Sequence, residues 1–230
     1  MKQIDFGHQI EYAICSNSTL LLLEPDERKQ LAARSSLFAL ERGEALYHAG
    51  DAVSCAWAVV SGQVKIVKES HSGHRLLIEI IIAGETCGGD CYSDEDRFIF
   101  SAFAMEPTTA LRYPIEYLRK FAASNLAFSR AAAKDLCRRL YHAQHMRSLS
   151  IEDVAGRVAC ALVYLEDKFG NEIPHSRATL AELAGTTVES AIRTTKMLTE
   201  KGIIATQRNR ITIRSLPWLK DFAHKPGARE

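Results

Sequence analysis

The chain has 230 residues, 47% of which are hydrophobic, and its formal net charge is +1. This length provides for one or two domains with buried cores, and the composition is that of an ordinary soluble protein. The sequence contains no run of eighteen apolar residues, and its N-terminus lacks the basic-then-apolar pattern of a secretory signal. We therefore expect a cytoplasmic protein with no membrane partner.

Charged residues are distributed unevenly along the chain. Residues 1–125 contain 12 Lys and Arg against 17 Asp and Glu, residues 126–150 contain 5 against 1, and residues 151–230 contain 12 against 10. Within 176–214 the count is 7 against 3. Positive charge thus gathers near the C-terminal end, where the phosphates of a nucleic acid would bind, and not in the acidic N-terminal part.

Residues 1–124 form the first predicted domain. An acidic helix start at 24–27 indicates short helices, and from Ala39 to Pro114 the sequence changes to short apolar segments such as AWAVV, QVKIV, LLIEIII and FIFSAFAM. Glycines punctuate these segments at intervals of about ten residues. They are Gly43, Gly50, Gly62, Gly73 and Gly84. This pattern predicts successive antiparallel strands in a sandwich, barrel or roll.

The segment 125–150 contains neither Gly nor Pro, which predicts one long helix. Apolar residues repeat along it at heptad spacing, with Ser129 as the weak member. The predicted seam consists of Leu126, Ala133, Leu136, Leu140 and Ala143. We expect this seam to pack against a second copy of the chain; the alternative is that the apolar stripe only covers its own strand domain.

Residues 151–230 form the last predicted domain, and its stretch 176–204 has the pattern of two short helices joined by a tight turn. Ser176 and Thr187 stand where each helix needs an N-cap, and Gly185 provides the left-handed residue of the corner. In the second helix, the residues predicted to face inward, at three- and four-residue spacing, are Ala191, Thr195 and Leu198. This combination predicts a helix-turn-helix.

The outward face of the second helix carries the chemistry that DNA base edges require. Arg193 can donate two hydrogen bonds to guanine, Glu189 can accept one from a cytosine amine, and Val188 or Ile192 can contact a thymine methyl group. After Gly202, alternating apolar and polar residues surround a polar turn at 207–210, which predicts a β-hairpin wing with a basic tip. The predicted phosphate contacts are Ser176, Arg177, Thr187, Lys196, Arg208 and Arg210.

These motifs together resemble the Crp/Fnr family of bacterial transcription regulators. The resemblance extends upstream through DVAGRVACALVYL at 153–165, and ERGEALYHAGD, AWAVVSGQVKIV and IAGET resemble the β-roll of cyclic-nucleotide-binding domains. It implies an α+β protein with an N-terminal β-roll sensor, a long dimerisation helix and a C-terminal winged helix-turn-helix. It also implies a homodimer that binds double-stranded DNA, with RNA polymerase as a partner.

The resemblance assigns base reading in that family to a Glu and to an Arg four residues later, here Glu189 and Arg193. The preceding residue separates subgroups, being Arg in the cyclic-AMP receptor group and often Val in the Fnr group; here it is Val188. The Fnr-like assignment implies a TTGA-like inverted repeat as the target. In the Fnr pattern a Ser precedes the Arg, whereas this chain has Ile192.

The effector is not specified by the resemblance. Nucleotide-binding members hold the ribose and the cyclic phosphate with a Gly-Glu and an Arg-Ser or Arg-Thr. This chain keeps Gly88 but has Gly89 in place of the Glu, and Phe98 follows Arg97. Four acidic residues at positions 90 and 94–96 would repel a phosphate, which disfavours a cyclic nucleotide. The candidate effector residues are Gly84, Cys87, Gly88, Gly89, Cys91 and Arg97.

The cysteine and histidine residues of the chain are compatible with other signals, sensed through a metal, a haem or a thiol. The Fnr iron-sulfur cluster uses a tight N-terminal group of cysteines, whereas this N-terminus has only Cys15, so we disfavour such a cluster. Cys87 and Cys91 could form a redox couple, contribute metal ligands or remain ordinary thiols. Two HxxH pairs, His71 with His74 and His142 with His145, fit a metal or haem but also fit surface histidines. The cofactor and any metal are therefore unassigned.

Two functions from different classes fit the sequence. One is a dimeric, sequence-specific transcription factor controlled by a small molecule, redox state or gas. The other is a ligand-binding signalling module whose winged helix contacts protein instead of DNA. The sequence contains no nucleophile elbow, P-loop or zinc-protease helix, so we predict that the protein is not an enzyme.

Overall fold

The structure is a computed structural model that describes residues 1–4, 7–69, 75–88, 96–148 and 153–224. The chain divides into two compact units, Met1–Cys137 and Arg138–Glu230. The first unit is rich in β-strands and the second is mainly helical. None of the helices in the described ranges combines the length and apolar composition that crossing a bilayer requires.

The first unit begins with a short strand and helices that pack on the later sheet. Strand β1 is Lys2–Ile4, helix α1 is Gly7–Ser16, a 3₁₀ turn follows at Leu20–Leu22, and helix α2 is Pro25–Ala32. Glu24 and Glu27 form a capping box at the start of α2, and Pro25 takes the first helical position. The acidic helix start read from the sequence is thereby confirmed, whereas β1 and α1 were not predicted.

The described part of the first unit contains eight further strands: β2 Ser36–Leu40, β3 Ala45–Tyr47, β4 Cys55–Ser61, β5 Gln63–Glu69, β6 Arg75–Ile82, β7 Thr86–Cys87, β8 Ser101–Ala104 and β9 Thr108–Pro114. They form two antiparallel sheets with orders β1-β2-β9-β4-β7 and β3-β8-β5-β6. This confirms the predicted antiparallel architecture. The FIFSAFAM segment is strand only from Ser101, and Gly73 lies outside the described residues.

One glycine turn shows why the spacing of glycines matters. Gly62 joins β4 to β5 with φ +80°, and a Cβ atom there would lie 2.7 Å from the carbonyl oxygen of Pro107. A side chain at this position would be strained by both the backbone conformation and the close approach. The tight reversal between the two strands therefore requires glycine.

Two helices follow the roll: α3 Ile115–Ser124 and α4 Leu126–Ser148. Asn125 is the residue between them: its Oδ1 accepts from the Phe128 amide at 3.0 Å, and its Nδ2 donates to the Glu27 carboxylate at 2.9 Å. Phe128 and Ala132, on one side of α4, are buried, and Phe128 belongs to the same core as Phe121. The predicted long helix is confirmed, but it begins after Asn125, and positions 149–150 lie outside the described residues.

The second unit contains helix α5 Val154–Phe169, strand β10 Glu172–Ile173, helices α6 Arg177–Ala184 and α7 Val188–Glu200, strands β11 Ile204–Gln207 and β12 Arg210–Ile213, and helix α8 Leu216–His224. The three strands pair in the order β10-β12-β11. The predicted winged helix-turn-helix is confirmed, and β10 and α8 are additions that the sequence analysis did not predict.

Candidate nucleic-acid interface and sensor roll

The corner between α6 and α7 is defined by three local interactions. The Ser176 hydroxyl oxygen accepts from the Thr179 amide at 3.2 Å, and the Thr187 hydroxyl oxygen accepts from the Ser190 amide at 3.2 Å. Gly185 ends α6 in the left-handed conformation, with φ 59° and ψ 46°. The predicted caps and the predicted corner residue are all present, so the orientation of α7 relative to α6 follows from local sequence.

One face of α7 is fixed in the core of the second unit. Ala191, Thr195 and Leu198 are buried, as predicted, and Thr194 is buried with them. The Thr195 hydroxyl is satisfied by donating to the Ala191 carbonyl at 2.8 Å. Thr194 was not recognised from the sequence, although its three-residue spacing from Ala191 is the helical signal that marks it. Because this face is buried, the opposite face of α7 is the one available to a ligand.

The reading face of α7, which we define as Val188, Glu189, Ile192, Arg193 and Lys196, is exposed throughout. Neither the Glu189 carboxylate nor the Arg193 guanidinium has an ion-pair partner in the described ranges, and Arg193 has only a long 3.5 Å contact to the Ser190 hydroxyl. Lys196 lies 3.8 Å from the carboxylate of Glu200. The structure thus brings all four predicted base-reading residues to one solvent-facing surface.

The wing is a hairpin with a two-residue turn. Gln207 pairs with Arg210 at the end of the ladder, so Arg208 and Asn209 form the tip, and Asn209 adopts φ 55°. Arg208 is exposed there. Arg210 instead donates to the Glu172 carboxylate of β10 at 3.2 Å, a pairing that the sequence analysis did not consider. Arg208 and Arg210 are the two predicted phosphate contacts on the wing. The charge of Arg210 is partly neutralised by Glu172, and the charge of Arg208 is less so.

His175 immediately precedes the cap of α6 and was not singled out from the sequence. Its side chain is only 6% exposed, and its ring meets the Phe169 ring edge-on with centroids 4.9 Å apart. Within the described residues, its Nε2 atom has no hydrogen-bond partner. Burial lowers the pKa of His175 from 6.5 to about 4, because the charged form loses its hydration. The helix-turn-helix therefore contains a buried neutral imidazole.

Helix α4 exposes the face that the heptad pattern identified. Leu126, Leu136 and Leu140 are exposed large hydrophobic residues, and Leu140 is 55% exposed. Ala133 and Ala143 are exposed as well. Phe128 and Ala132, which do pack into the core, lie outside this seam. The predicted seam is therefore a separate apolar stripe from the one that covers the roll.

Cys87, one of the effector candidates, is buried beside two aromatic rings. The ring of Phe98 stacks on that of Tyr47, with centroids 3.8 Å apart, and the Tyr47 hydroxyl contacts Cys87 Sγ at 3.2 Å. All three side chains are buried in the same core. A Cβ atom on Gly88, which has φ +93°, would lie 3.4 Å from the Phe98 ring. The residue after Arg97 is thus a core aromatic instead of a phosphate donor.

Arg97 and Gly84 have other contacts. The Arg97 guanidinium donates to the Gly50 carbonyl oxygen at 2.6 Å, which ties it to the loop between β3 and β4. Gly84 turns the chain between β6 and β7, and its carbonyl accepts from the Ser18 amide at 2.9 Å. Gly89 and Cys91 lie outside the described residues. Among the described candidates, Arg97 and Gly84 thus make contacts within the chain.

The cysteine and histidine candidates give no metal site in the described part of the chain, where no group of three potential ligand side chains occurs. His142 stacks on Tyr164, with ring centroids 3.9 Å apart. His71 and His74 lie outside the described residues, as does the side chain of His145. Cys15 is an exposed free thiol that accepts from Arg28 at 3.4 Å.

Family comparisons agree with this architecture. Residues 37–125 match the cyclic nucleotide-binding domain, and residues 156–222 match the Crp-like helix-turn-helix domain. The chain is 29% identical over 185 residues to the cyclic AMP receptor protein of Thermus thermophilus, covering 79% of this chain and 85% of that protein. It is 25% identical over 209 residues to the transcriptional activator protein Anr of Pseudomonas protegens, covering 87% and 84%.

Solved structures share the fold. FixK2 from Bradyrhizobium japonicum matches with a TM-score of 0.74 at 21% identity, covering 84% of this chain and 99% of that chain. A CRP/FNR family transcriptional regulator from Thermus thermophilus matches with a TM-score of 0.63 at 20% identity, covering 83% and 100%. With a roll and a winged helix-turn-helix that both match in one chain, this protein belongs to the Crp/Fnr family of DNA-binding transcription regulators.

Proposed function

We propose that this chain is a cytoplasmic, homodimeric transcription regulator, not an enzyme, that binds a palindromic, TTGA-like operator and acts with RNA polymerase. The observation that carries the proposal is the Glu189–Arg193 pair, one helical turn apart on the exposed face of a capped recognition helix. Neither side chain has an ion-pair partner within the described residues. Both are therefore available for base edges.

The contacts to DNA divide into base reading and phosphate binding. Arg193 donates two hydrogen bonds to a guanine, Glu189 accepts from a cytosine amine, and Val188 selects the TTGA-like target over the one read by the Arg-containing subgroup. Lys196 and Arg208 bind phosphates, as do Arg177 and the capped helix starts at Ser176 and Thr187. Arg210 contributes less, since Glu172 offsets its charge.

Dimerisation through α4 supports this mode of binding. A palindrome is read by two recognition helices about one DNA turn apart, which requires a two-fold symmetric protein. The exposed seam of Leu126, Ala133, Leu136, Leu140 and Ala143 offers an apolar stripe for the same helix of a second copy. Its exposure in the single chain favours this partner over packing on the roll.

The signal sensed by the roll is proposed to be something other than a cyclic nucleotide. One relative is named for cyclic AMP, but here Gly89 replaces the Glu that holds the ribose, and Phe98 fills the core. Arg97 donates to Gly50. Small-molecule, haem and thiol sensing remain candidate mechanisms for the roll, with Cys87 buried against Tyr47.

Selection of binding sites from random duplex DNA tests the proposal. We expect enrichment of an inverted TTGA-like repeat, with affinity that falls steeply as salt rises because several phosphates are neutralised. Enrichment of TGTGA would contradict the subgroup assignment. Selection of no palindrome, together with loss of binding at moderate salt, would instead support a winged helix that contacts protein.

A further inference from the structure

Two of the cations predicted to bind DNA phosphates already have a carboxylate partner within the chain. Arg210 Nη1 lies 3.2 Å from Glu172 Oε2. Lys196 Nζ lies 3.8 Å from Glu200 Oε1. More than half of each of these four side chains is exposed, so DNA can reach both pairs. A phosphate that approaches Arg210 or Lys196 therefore has to compete with a carboxylate that is already in place.

The position of Glu172 is set by β10, a strand of only two residues. Strand β10 pairs with β12 so that Glu172 lies opposite Thr212, two residues along β12 from Arg210. Side chains two residues apart on a strand share a face of the sheet, so Glu172 and Arg210 form a diagonal cross-strand pair. The strand that completes the three-stranded sheet of the second unit thereby places a negative charge beside a cation of the wing.

The stability of α7 does not account for Glu200. This residue ends α7, where the negative end of the helix dipole disfavours a carboxylate. It follows Lys196 by four residues, and a lysine that precedes its glutamate is the weaker order for an ion pair on a helix. Exposed ion pairs also contribute little to the free energy of unfolding. An effect on DNA binding would give Glu200 a role that folding does not.

We propose that Glu172 and Glu200 compete with DNA phosphates for the two cations, and that they thereby limit the sequence-independent part of DNA binding. Phosphate contacts carry no sequence information, so this competition weakens binding to every duplex alike. Arg193, in contrast, has no ion-pair partner within the described residues, so base reading is not restrained in the same way. The inference rests on the proposed DNA-binding function and identifies two residues that set its strength.

Neutral variants of the two carboxylates test the proposal. Glu172→Gln and Glu200→Gln keep the size of the side chain and remove its charge. Dissociation constants are measured by fluorescence anisotropy over a range of salt concentrations, with the selected operator and with a random-sequence duplex of the same length. We expect each variant to bind both duplexes about 1.5-fold to fivefold more tightly per bound subunit, the range for one exposed ion pair. The ratio between the two duplexes should stay unchanged, and the gain should shrink as salt rises.

Two comparisons assign the gain to the paired cations. Glu116→Gln changes an exposed carboxylate of α3 and alters the net charge by the same amount, so it should leave DNA binding nearly unchanged. In an Arg210→Ala background, most of the gain from Glu172→Gln should disappear, because the cation for which the carboxylate competes is gone.

Three outcomes would overturn the inference while the operator is still bound. They are an equal gain from Glu172→Gln with and without Arg210, a Gln variant that binds no more tightly than the parent, and a gain of the same size in Glu116→Gln. Urea unfolding identifies a purely structural role, in which Glu172→Gln would lose stability without gaining affinity. A parent protein that selects no operator would instead contradict the proposed function itself.

Discussion

The buried imidazole of His175 makes the stability of the DNA-binding unit depend on pH. In the folded unit His175 packs edge-on against Phe169, and burial lowers its pKa from 6.5 to about 4. The unfolded chain therefore binds a proton at a higher pH than the folded chain does. Below pH 6.5 protonation favours the unfolded state, so the contribution of a neutral His175 is fully present above pH 6.5 and is lost as pH falls toward 4.

The size of the effect follows from the two pKa values. Across the whole window the difference corresponds to about 3 kcal/mol of unfolding free energy, since one pKa unit equals about 1.4 kcal/mol. Between pH 7 and pH 5 the expected loss of unfolding free energy is about 2 kcal/mol. This pH range lies above the range in which most carboxylates titrate. This is a large fraction of the stability of a small domain.

Tryptophan fluorescence can report this unit by itself. The chain has two tryptophans, Trp57 in the roll and Trp218 on α8, so Trp57→Phe leaves Trp218 as the only indole. In that background, urea unfolding at pH 7, 6 and 5 gives the stability of the unit. We expect the loss of about 2 kcal/mol to shrink strongly in His175→Phe, which keeps an aromatic ring without a titrating group.

The matched control is His48→Gln, which changes an exposed histidine of the roll. It should preserve the pH dependence of the parent. Equal slopes for the parent and His175→Phe between pH 7 and pH 5 would refute the argument, because His175 would then be solvated or hydrogen-bonded in the folded unit. A steeper slope in His175→Phe would contradict the direction of the pKa shift.

Three further predictions concern the interfaces and the roll. Arg193→Ala should weaken operator binding by about 1–3 kcal/mol and relax preference at one guanine per half-site, whereas Lys196→Ala should weaken all sequences alike and lower the salt slope by about one, both measured by anisotropy titrations. Leu140→Glu should dissociate the dimer in sedimentation, because two carboxylates would meet in an apolar seam, whereas Tyr141→Glu, next to the seam, should not. Calorimetry should detect no cyclic AMP or cyclic GMP binding tighter than about 10 micromolar; tighter binding coupled to higher operator affinity would contradict our interpretation of the roll.

The helix-turn-helix was predictable from the sequence because its determinants are local. Ser176, Gly185 and Thr187 each act on a backbone group within four residues, and the period of α7 separates buried from exposed positions. The wing was also predictable, because apolar and polar residues alternate on both sides of a polar turn. The contribution of Glu172 was not predictable, since β10 has only two residues and exists by pairing with β12.

Elements stabilised by distant residues escaped the sequence analysis. Strand β1 is three residues long and pairs with β2, so that Lys2 lies opposite Ala39. Asn125, expected within the long helix, instead caps it and bonds Glu27 of α2. His175 is buried by Phe169, and its neighbours in the sequence do not mark it. For β1 and Asn125 the partner lies outside the window in which helical or strand periodicity can be read.

The difference between local and distant determinants also explains why family membership specifies the DNA-binding surface more closely than the effector. The reading face belongs to one helix of 13 residues, so its chemistry follows from five side chains and their spacing. The sensor depends on segments that meet only through the fold: Arg97 reaches Gly50 of an earlier loop, and Phe98 reaches Tyr47 of β3. Nucleotide-binding members have a hydroxyl residue after the Arg, whereas this chain has Phe98, whose ring is buried in the core. The roll can therefore keep its strand order while the ligand chemistry of its interior changes.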